Sequence, residues 1–430
     1  MKNKIAIGKD KSLLLKGGKI LDITNGKTTN KDILIHNGKI VKIGKISDNN
    51  NYHIIDCKNN IITQSFIDIH SHFHTPGVGD QETLISGSNA ALSGGYSKVC
   101  IMPNTNPVID TPELVDLIID EAKKLPIDIY PIGSITKKLE GTELAEIGSM
   151  VNSGAVAISD ASFPIMNGQV MRYALEYAKM FNVPVINHPQ DINLVNNGVM
   201  NECKTSNSLG LEGNPTISES IMINRDLEIA NYIKGKLHVP NITCADSVDL
   251  IDKYKNKNLL LTCEVSPQNL FFSDNDLIDY DTNFKISPPL RSLNDRNKLI
   301  KGLKDGVIDC IASCHYPQRN DDKEKDFNHS EFGVISLETA FAATNTILSQ
   351  ENFSLKSILE LFSLNPSKIL NIALSEIKIS SNAELVVINP NEEWIFNKND
   401  IYSKSSNTPF IKKAFKGKVK YTINKNILFG

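Results

Sequence analysis

The sequence predicts an α/β fold: a closed (β/α)8 barrel of the TIM type, with a small composite β domain built from the N- and C-terminal segments. Three observations lead there. Through the middle of the chain, short apolar runs of strand length alternate with longer segments of helical periodicity, roughly eight times. Polar residues capable of chemistry stand just past the C-terminal ends of those runs, on the one face where such barrels assemble active sites. Both ends of the chain read instead as short strands and turns, and chain ends often lie close together.

The elements follow in order. Residues 1–65 carry "GKILDI", then "KDILIHNGKIVKIG" with a turn at Asn37-Gly38, then "YHIIDC" and "NIITQ", each bounded by turn residues. Residues 66–375 hold the runs "FIDIH", "KVCIMP", "DIYPIGS", "AVAIS", "VPVIN", "LHVPNI", "LLLTCEV" and "DCIAS". Helical segments such as "GQVMRYALEYAKMF" and "SESIMINRDLEIANYIKG" follow them. Continuous apolar strands separated by helices imply a parallel sheet covered on both faces. An open doubly wound sheet is the alternative, and no G-x-G-x-x-G follows the first run to favour it. Residues 376–430 return to strands with "AELVVINP", "EWIFNK" and "GKVKYTINKNILFG".

Composition narrows the function classes. With 430 residues, 40% hydrophobic and 22% charged, the chain falls in the ordinary globular range and can bury a large core. The net charge is -3 and the lysines are dispersed among acids, so no basic footprint for nucleic acid exists. No segment approaches 18 consecutive apolar residues, so a cytoplasmic protein without a membrane partner is expected. Seven cysteines without a C-x-x-C pair make a poor disulfide framework, and most are expected as buried thiols.

The stretch "FIDIHSHFHTPG" is the sharpest local signal. On an extended segment residues i and i+2 share a side, so His70 and His72 can face one ion, with His74 next until Pro76 and Gly77 end the strand. Neutral imidazoles suit zinc, and a carboxylate such as Asp160 could complete the site. The plainer alternative is a set of hydrogen-bonded histidines at a barrel mouth. His188, Asn104 and His315 share the strand-end placement, while "NFKISPPLRSLNDR" reads alone as a stiffened entry to a helix capped near Ser292.

Taken in order, "DILIHNGKIVKIG", "FIDIHSHFHTPG", "CIMPNTNPVIDTPE", "AISD", "PVINHPQD", "TNFKISPPLR", "DGVIDCIAS" and "SKSSNTPF" resemble the class I dihydroorotases of the amidohydrolase superfamily. The resemblance is colinear and nearly end to end. It implies the barrel with a composite β domain, zinc, and the interconversion of carbamoyl-aspartate and dihydroorotate in pyrimidine biosynthesis. It further implies His70, His72, Asp160 and His188 as metal ligands, Asn104 as a substrate-binding residue, and His315, the histidine beside the catalytic aspartate, as another substrate-binding candidate.

Four positions depart from the family pattern. His74 stands where H-x-H-x-R has the arginine, so the bidentate fork for a carboxylate is missing. Ser287 replaces the asparagine of K-x-N-P-P-L-R, leaving His74 and Ser287 as the substrate-binding candidates there. Asn241 falls at the sixth-strand metal histidine, which leaves ligands for one zinc rather than two, or for none. Cys314 replaces the proton-shuttling aspartate of A-T-D-H-A-P, which reads "ASCHYP" here.

A thiolate binds zinc tightly, so His70, His72, Asp160 and Cys314 could form a closed four-ligand site without an open position for water. The expectation is a dihydroorotase homologue with lost or weak activity. Its role would be that of a scaffold or regulatory partner of aspartate carbamoyltransferase, self-associating through the barrel. The alternatives are an active zinc-dependent dihydroorotase and a related cyclic amidohydrolase of changed specificity, for instance toward a hydantoin.

Overall fold

Eight parallel strands run in chain order through the computed structural model, which describes residues 4–6, 11–77, 79–257 and 260–430. They are Phe66–Ser71, Tyr96–Ile101, Asp128–Pro131, Ile158–Ser159, Val185–Ile186, Leu237–Val239, Leu261–Val265 and Cys310–Ile311. Each overlaps one of the apolar runs. Neighbours pair in parallel, and two single bridges, Gly133 with Ile158 and Ser71 with His315, join the third strand to the fourth and the first to the eighth. The sheet therefore closes into the expected barrel.

Closure has a specific chemical fastening. The buried carboxylate of Asp68, in the first strand, accepts hydrogen bonds at 2.7 Å from both the backbone N–H and the hydroxyl of Ser313, just past the eighth. Ser71 donates to the same carboxylate. One acid thus holds the two edges together and places residues 313–316 against the histidine stretch.

Helices Gly168–Met180 and Ile217–Ile233 occupy the segments with helical periodicity. Ser292 caps helix Leu293–Lys304, its hydroxyl accepting from the Asp295 N–H in a capping box. Phe66 packs against Tyr96, Phe341 and Phe362 with ring centroids 5.2 to 5.6 Å apart, tying the first strand to the helical shell. A parallel pair, Met200–Asn201 with Gly213–Asn214, is inserted after the fifth strand. Two-residue strands carry no periodicity, so nothing in the sequence announced them.

The two chain ends meet in a seven-stranded sheet. Its order is Lys4–Ala6, Ile427–Phe429, Ala414–Asn424, Leu385–Ile395, Ile61–Gln64, Lys19–Leu21 and Thr28–Asn30. Ile61–Gln64 runs antiparallel to Leu385–Ile395, so strands from both termini share one hydrogen-bonded layer. A four-stranded sheet adds Ser12–Lys16, Asp32–His36, Lys39–Gly44 and Tyr52–Asp56. Asn37 and Gly38 both adopt positive φ, 48° and 72°, as a tight hairpin turn requires. Leu13, Ile35 and Ile62 share one core with Leu385, Val387 and Ile423. Of the segment 1–65, residues 1–3 and 7–10 lie outside the described residues. No helix among the described residues is long and apolar enough to cross a membrane.

Candidate metal centre and cavity at the barrel mouth

The first strand ends on His70, and its imidazole meets a carboxylate that sequence reasoning overlooked. His70 Nδ1 donates to Glu264 Oε1 at 2.5 Å, and His238 Nε2 donates to the other oxygen of the same acid at 3.1 Å. Glu264 lies in the seventh strand, fully buried. Burial pushes its carboxyl up, but the His70 and His238 imidazoles overcome that and hold it down at about 2. Burial likewise works against the His70 proton, and Glu264 more than restores it. The signal was present: an acid inside the apolar strand run "LLLTCEV" needs a buried partner.

Cys314 completes this corner, its Sγ 3.9 Å from His70 Nδ1. One donor atom each from His70, Glu264 and Cys314 lie within 4.8 Å of one another. Burial, then the charges of Glu264 and Asp68, drive the Cys314 thiol well above its ordinary range, so it is a thiol until a cation arrives. Nitrogen, oxygen and sulfur donors suit zinc. The 2.5 Å contact is too short for an ion to bridge, and direct ligation by both residues requires His70 and Glu264 to part by roughly 0.8 Å. The alternative needs no movement. His70 and His72 each turn Nδ1 to a fixed acceptor, Glu264 and Asn104, which leaves Nε2 as the nitrogen that would bind a metal once its proton is displaced. Both arrangements use His70, and the residues fit one ion.

Several predicted site residues sit otherwise than expected. Asp160 does not join the cluster: its oxygens accept from the Ile135 N–H at 2.7 Å, the Thr136 N–H at 2.9 Å and the Thr136 hydroxyl. These contacts only partly offset burial, which raises it to about 6. The closed site of His70, His72, Asp160 and Cys314 is therefore not assembled. His188 lines the cavity but donates Nε2–H to Gln190 Oε1 at 2.9 Å, and burial depresses it to about 4. His315 is a structural latch, fully buried. Its Nδ1 accepts from the N–H groups of Ser336 and Leu337, and its Nε2 faces Glu82 at 3.3 Å, so no ring atom is left for a substrate.

The substrate-side candidates line two adjoining cavities. The inner one, about 320 Å³, is bordered by His70, His72, His188, Ser287 and Cys314, and the outer one, about 560 Å³, by His74 and Asn104. Tyr316 borders both. Its ring stacks on His72 at 3.9 Å, and its hydroxyl accepts from Asn104 Nδ2 at 3.2 Å. The amide of Asn104 is thus spent between His72 and Tyr316. Tyr316 stands where the pattern A-T-D-H-A-P has a small alanine, a departure legible in "ASCHYP" beside that of Cys314. His74 donates Nε2–H to Pro317 O at 3.2 Å, and burial holds it near 4, neutral at pH 7. Ser287 donates to Gln190 Oε1 at 2.9 Å.

Four non-glycine residues just beyond barrel strands hold positive φ: His74 at 51°, Ala161 at 53°, Asn241 at 42° and Cys314 at 50°. Such conformations cost on the order of 1–3 kcal/mol each, and they concentrate where side chains must be aimed.

The Glu264 pairing sets an acid dependence. Its carboxyl is held below the ordinary value of about 4.5, so the stabilisation is complete above that pH and disappears as pH falls toward about 2. Denaturant titrations of Glu264→Gln beside the unmodified protein should show the variant less stable at pH 7, by about 3 kcal/mol at most. The gap should narrow as pH drops from 5 to 3.

A profile of the dihydro-orotase-like family matches residues 59–247. Curated relatives named dihydroorotase include one from Trichlorobacter lovleyi, 35% identical over 96% of this chain and 97% of the relative. Another, from Ruminiclostridium cellulolyticum, is 38% identical over 96% of each. Among solved structures, the L-hydantoinase (dihydropyrimidinase) of Arthrobacter aurescens superposes with a TM-score of 0.84 at 20% identity, over 96% of this chain and 94% of that one. A D-hydantoinase superposes with a TM-score of 0.82 at the same identity, which bears on the fold alone.

Proposed function

This chain belongs to the dihydroorotase family, with relatives 35 to 38% identical over 96% of its length, and from that premise we propose a member with little or no turnover of dihydroorotate. The observation that supports this is the state of the carboxylates at the barrel mouth. Cys314 stands at the aspartate position, Asp160 accepts three hydrogen bonds from Ile135 and Thr136, and Glu264 is clamped between two imidazoles. Glu264, held down at about 2, is a weak base, and Asp160, at about 6, is engaged by the 135–136 turn and stands outside the cluster of His70, Glu264 and Cys314.

Loss of a general acid–base group removes a factor of about 10² to 10⁴ in rate. No arginine stands at the His74 position to grip the substrate carboxylate, and a neutral imidazole donates one hydrogen bond where a guanidinium donates two. Zinc, when bound, supplies polarisation of a ring carbonyl. His70 would hold it, with Glu264 orienting the imidazole. That leaves binding without an efficient proton path.

The role proposed for such a barrel is that of a scaffold or regulatory partner of aspartate carbamoyltransferase, the preceding enzyme of the pathway, with self-association of the barrel itself. Tagged protein expressed in its own cell should co-purify with the transferase and change its activity or stability. A solitary monomer with no effect on the transferase would remove the partner role. Separately, dihydroorotate turnover at about 1 s⁻¹ or faster, with zinc supplied, would show a working enzyme and overturn the catalytic part.

A further inference from the structure

The inner and outer cavities meet at an aromatic side chain. Tyr316, Phe163 and Glu331 border both, and Phe163, 53% exposed, stands with the exposed Glu331 at the rim. Tyr316 is the least exposed of the three. The other site residues sort to its two sides: His70, His72, Ser287 and Cys314 border the inner cavity, His74 and Asn104 the outer one.

The ring is fixed from several directions. It lies over His72 with the two planes 16° apart, and the His74 ring is 5.4 Å away at 28°. Its hydroxyl accepts from Asn104 Nδ2, and its backbone N–H donates to Val334 O at 2.8 Å. Gly333, at φ 117°, leaves the room it needs: a Cβ there would come within 2.6 Å of Tyr316 O and 2.9 Å of its Cγ. Lys323 in turn holds the carbonyls of Glu331 and Gly333. Swinging the ring aside would break these contacts together, so it stands as a wall between the two spaces.

We infer that Tyr316 is a specificity-determining partition: it denies a ligand seated beside His70 the use of His74 and Asn104 and confines it to the inner cavity. This deepens the reading of a chain with little or no dihydroorotate turnover, and rests on it, by adding a cause besides the missing groups. An arginine restored at position 74 would not grip a substrate carboxylate by itself. Arginine reaches further than histidine, and from that position it would run into a ring whose centroid lies 5.4 Å from the present imidazole. The amide of Asn104 would stay engaged by the tyrosine hydroxyl. A large ring at 316 and a short side chain at 74 are thus complementary in volume, and the two departures act as one unit that excludes the acidic substrate by obstruction.

The test is a double-mutant cycle read by titration calorimetry of dihydroorotate against the zinc-supplied protein. His74→Arg and Tyr316→Ala should each bind within about threefold of the unmodified chain, and the pair at least about tenfold more tightly than either, a coupling of about 1.4 kcal/mol. His74→Arg with Tyr316→Phe should stay within about threefold of the unmodified chain, because a phenyl ring fills the same space without the hydroxyl. Tyr316→Ser replaces the alanine variant if that one does not fold. A tenfold gain from His74→Arg alone, or from its combination with Tyr316→Phe, would overturn the partition, and so would a folded alanine or serine pair without gain. Turnover by the unmodified chain is assayed separately and decides the catalytic reading. An inactive chain in which His74→Arg suffices for tight binding sinks only the partition.

Discussion

Cys314→Asp should raise dihydroorotate hydrolysis and carbamoyl-aspartate cyclisation by about 10² to 10⁴ over the unmodified protein when zinc is supplied. The thiol sits 3.9 Å from His70 and lines the inner cavity, so a carboxylate in its place would face the space a bound ring would occupy. The backbone admits the change. Cys314 has φ 50°, a left-handed conformation in which aspartate is enriched and cysteine is not, so the substitution should relieve strain. The new acid would be buried beside Glu264, and without a cation that proximity raises its pKa and keeps it protonated. The gain should therefore require metal, and zinc content determined on both proteins checks this. It should stop short of an ordinary family enzyme because His74 and Ser287 still lack the groups that grip the substrate carboxylate. A metal-loaded variant with no gain would place the defect in substrate binding and free Cys314 of responsibility.

Residues 66–77 show what sequence can and cannot disclose about such a centre. The period of two placed His70 and His72 at the end of one strand, and the family resemblance put Cys314 at the same site although 244 positions separate it from His70. Backbone pairing and apolar patterning were sufficient for the first of these, because they are local properties summed over eight similar units. Partner choice among polar side chains is not local. Asp160 reads as a ligand until the turn at 135–136 is seen to present two N–H groups and a hydroxyl to it. His315 reads as a site residue until two backbone N–H groups are found aimed at its ring. Glu264 was hidden for the opposite reason: it lies in a strand whose apolar run attracts attention to packing, while its partners His70 and His238 come from two other strands. Tyr316 was legible as a bulky residue in place of a small one, but its stacking on His72 depends on a turn that no pattern specifies.

Lys285→Met should destabilise the protein by about 3 kcal/mol or more and loosen one wall of the cavity ahead of global unfolding. The Lys285 side chain is 1% exposed, and its ammonium donates to the carbonyls of Phe327, Asn328 and Ser330 at 2.7, 3.0 and 2.7 Å. Three donors meet three acceptors. Lys323 continues the arrangement, donating to the carbonyls of Glu331 and Gly333, while Gln318 Nε2 takes that of Phe332. A loop of irregular backbone is thus held by charged and amide side chains in place of a sheet ladder, and residues 331–334 of that loop face the inner cavity. Methionine keeps the alkyl stem but leaves three carbonyls without an ionic donor, each unsatisfied group costing about 1 kcal/mol or more. Arginine is no rescue, since its planar fork cannot point three donors inward from one atom. Urea titration gives the global loss, and hydrogen exchange resolves the local one: amides of 327–334 should exchange faster in the variant while those of helix Gly168–Met180 follow only the global change. A stability loss under about 1 kcal/mol with unchanged exchange in the loop would show that the wall stands without Lys285, and that the carbonyls find water once the ammonium is gone.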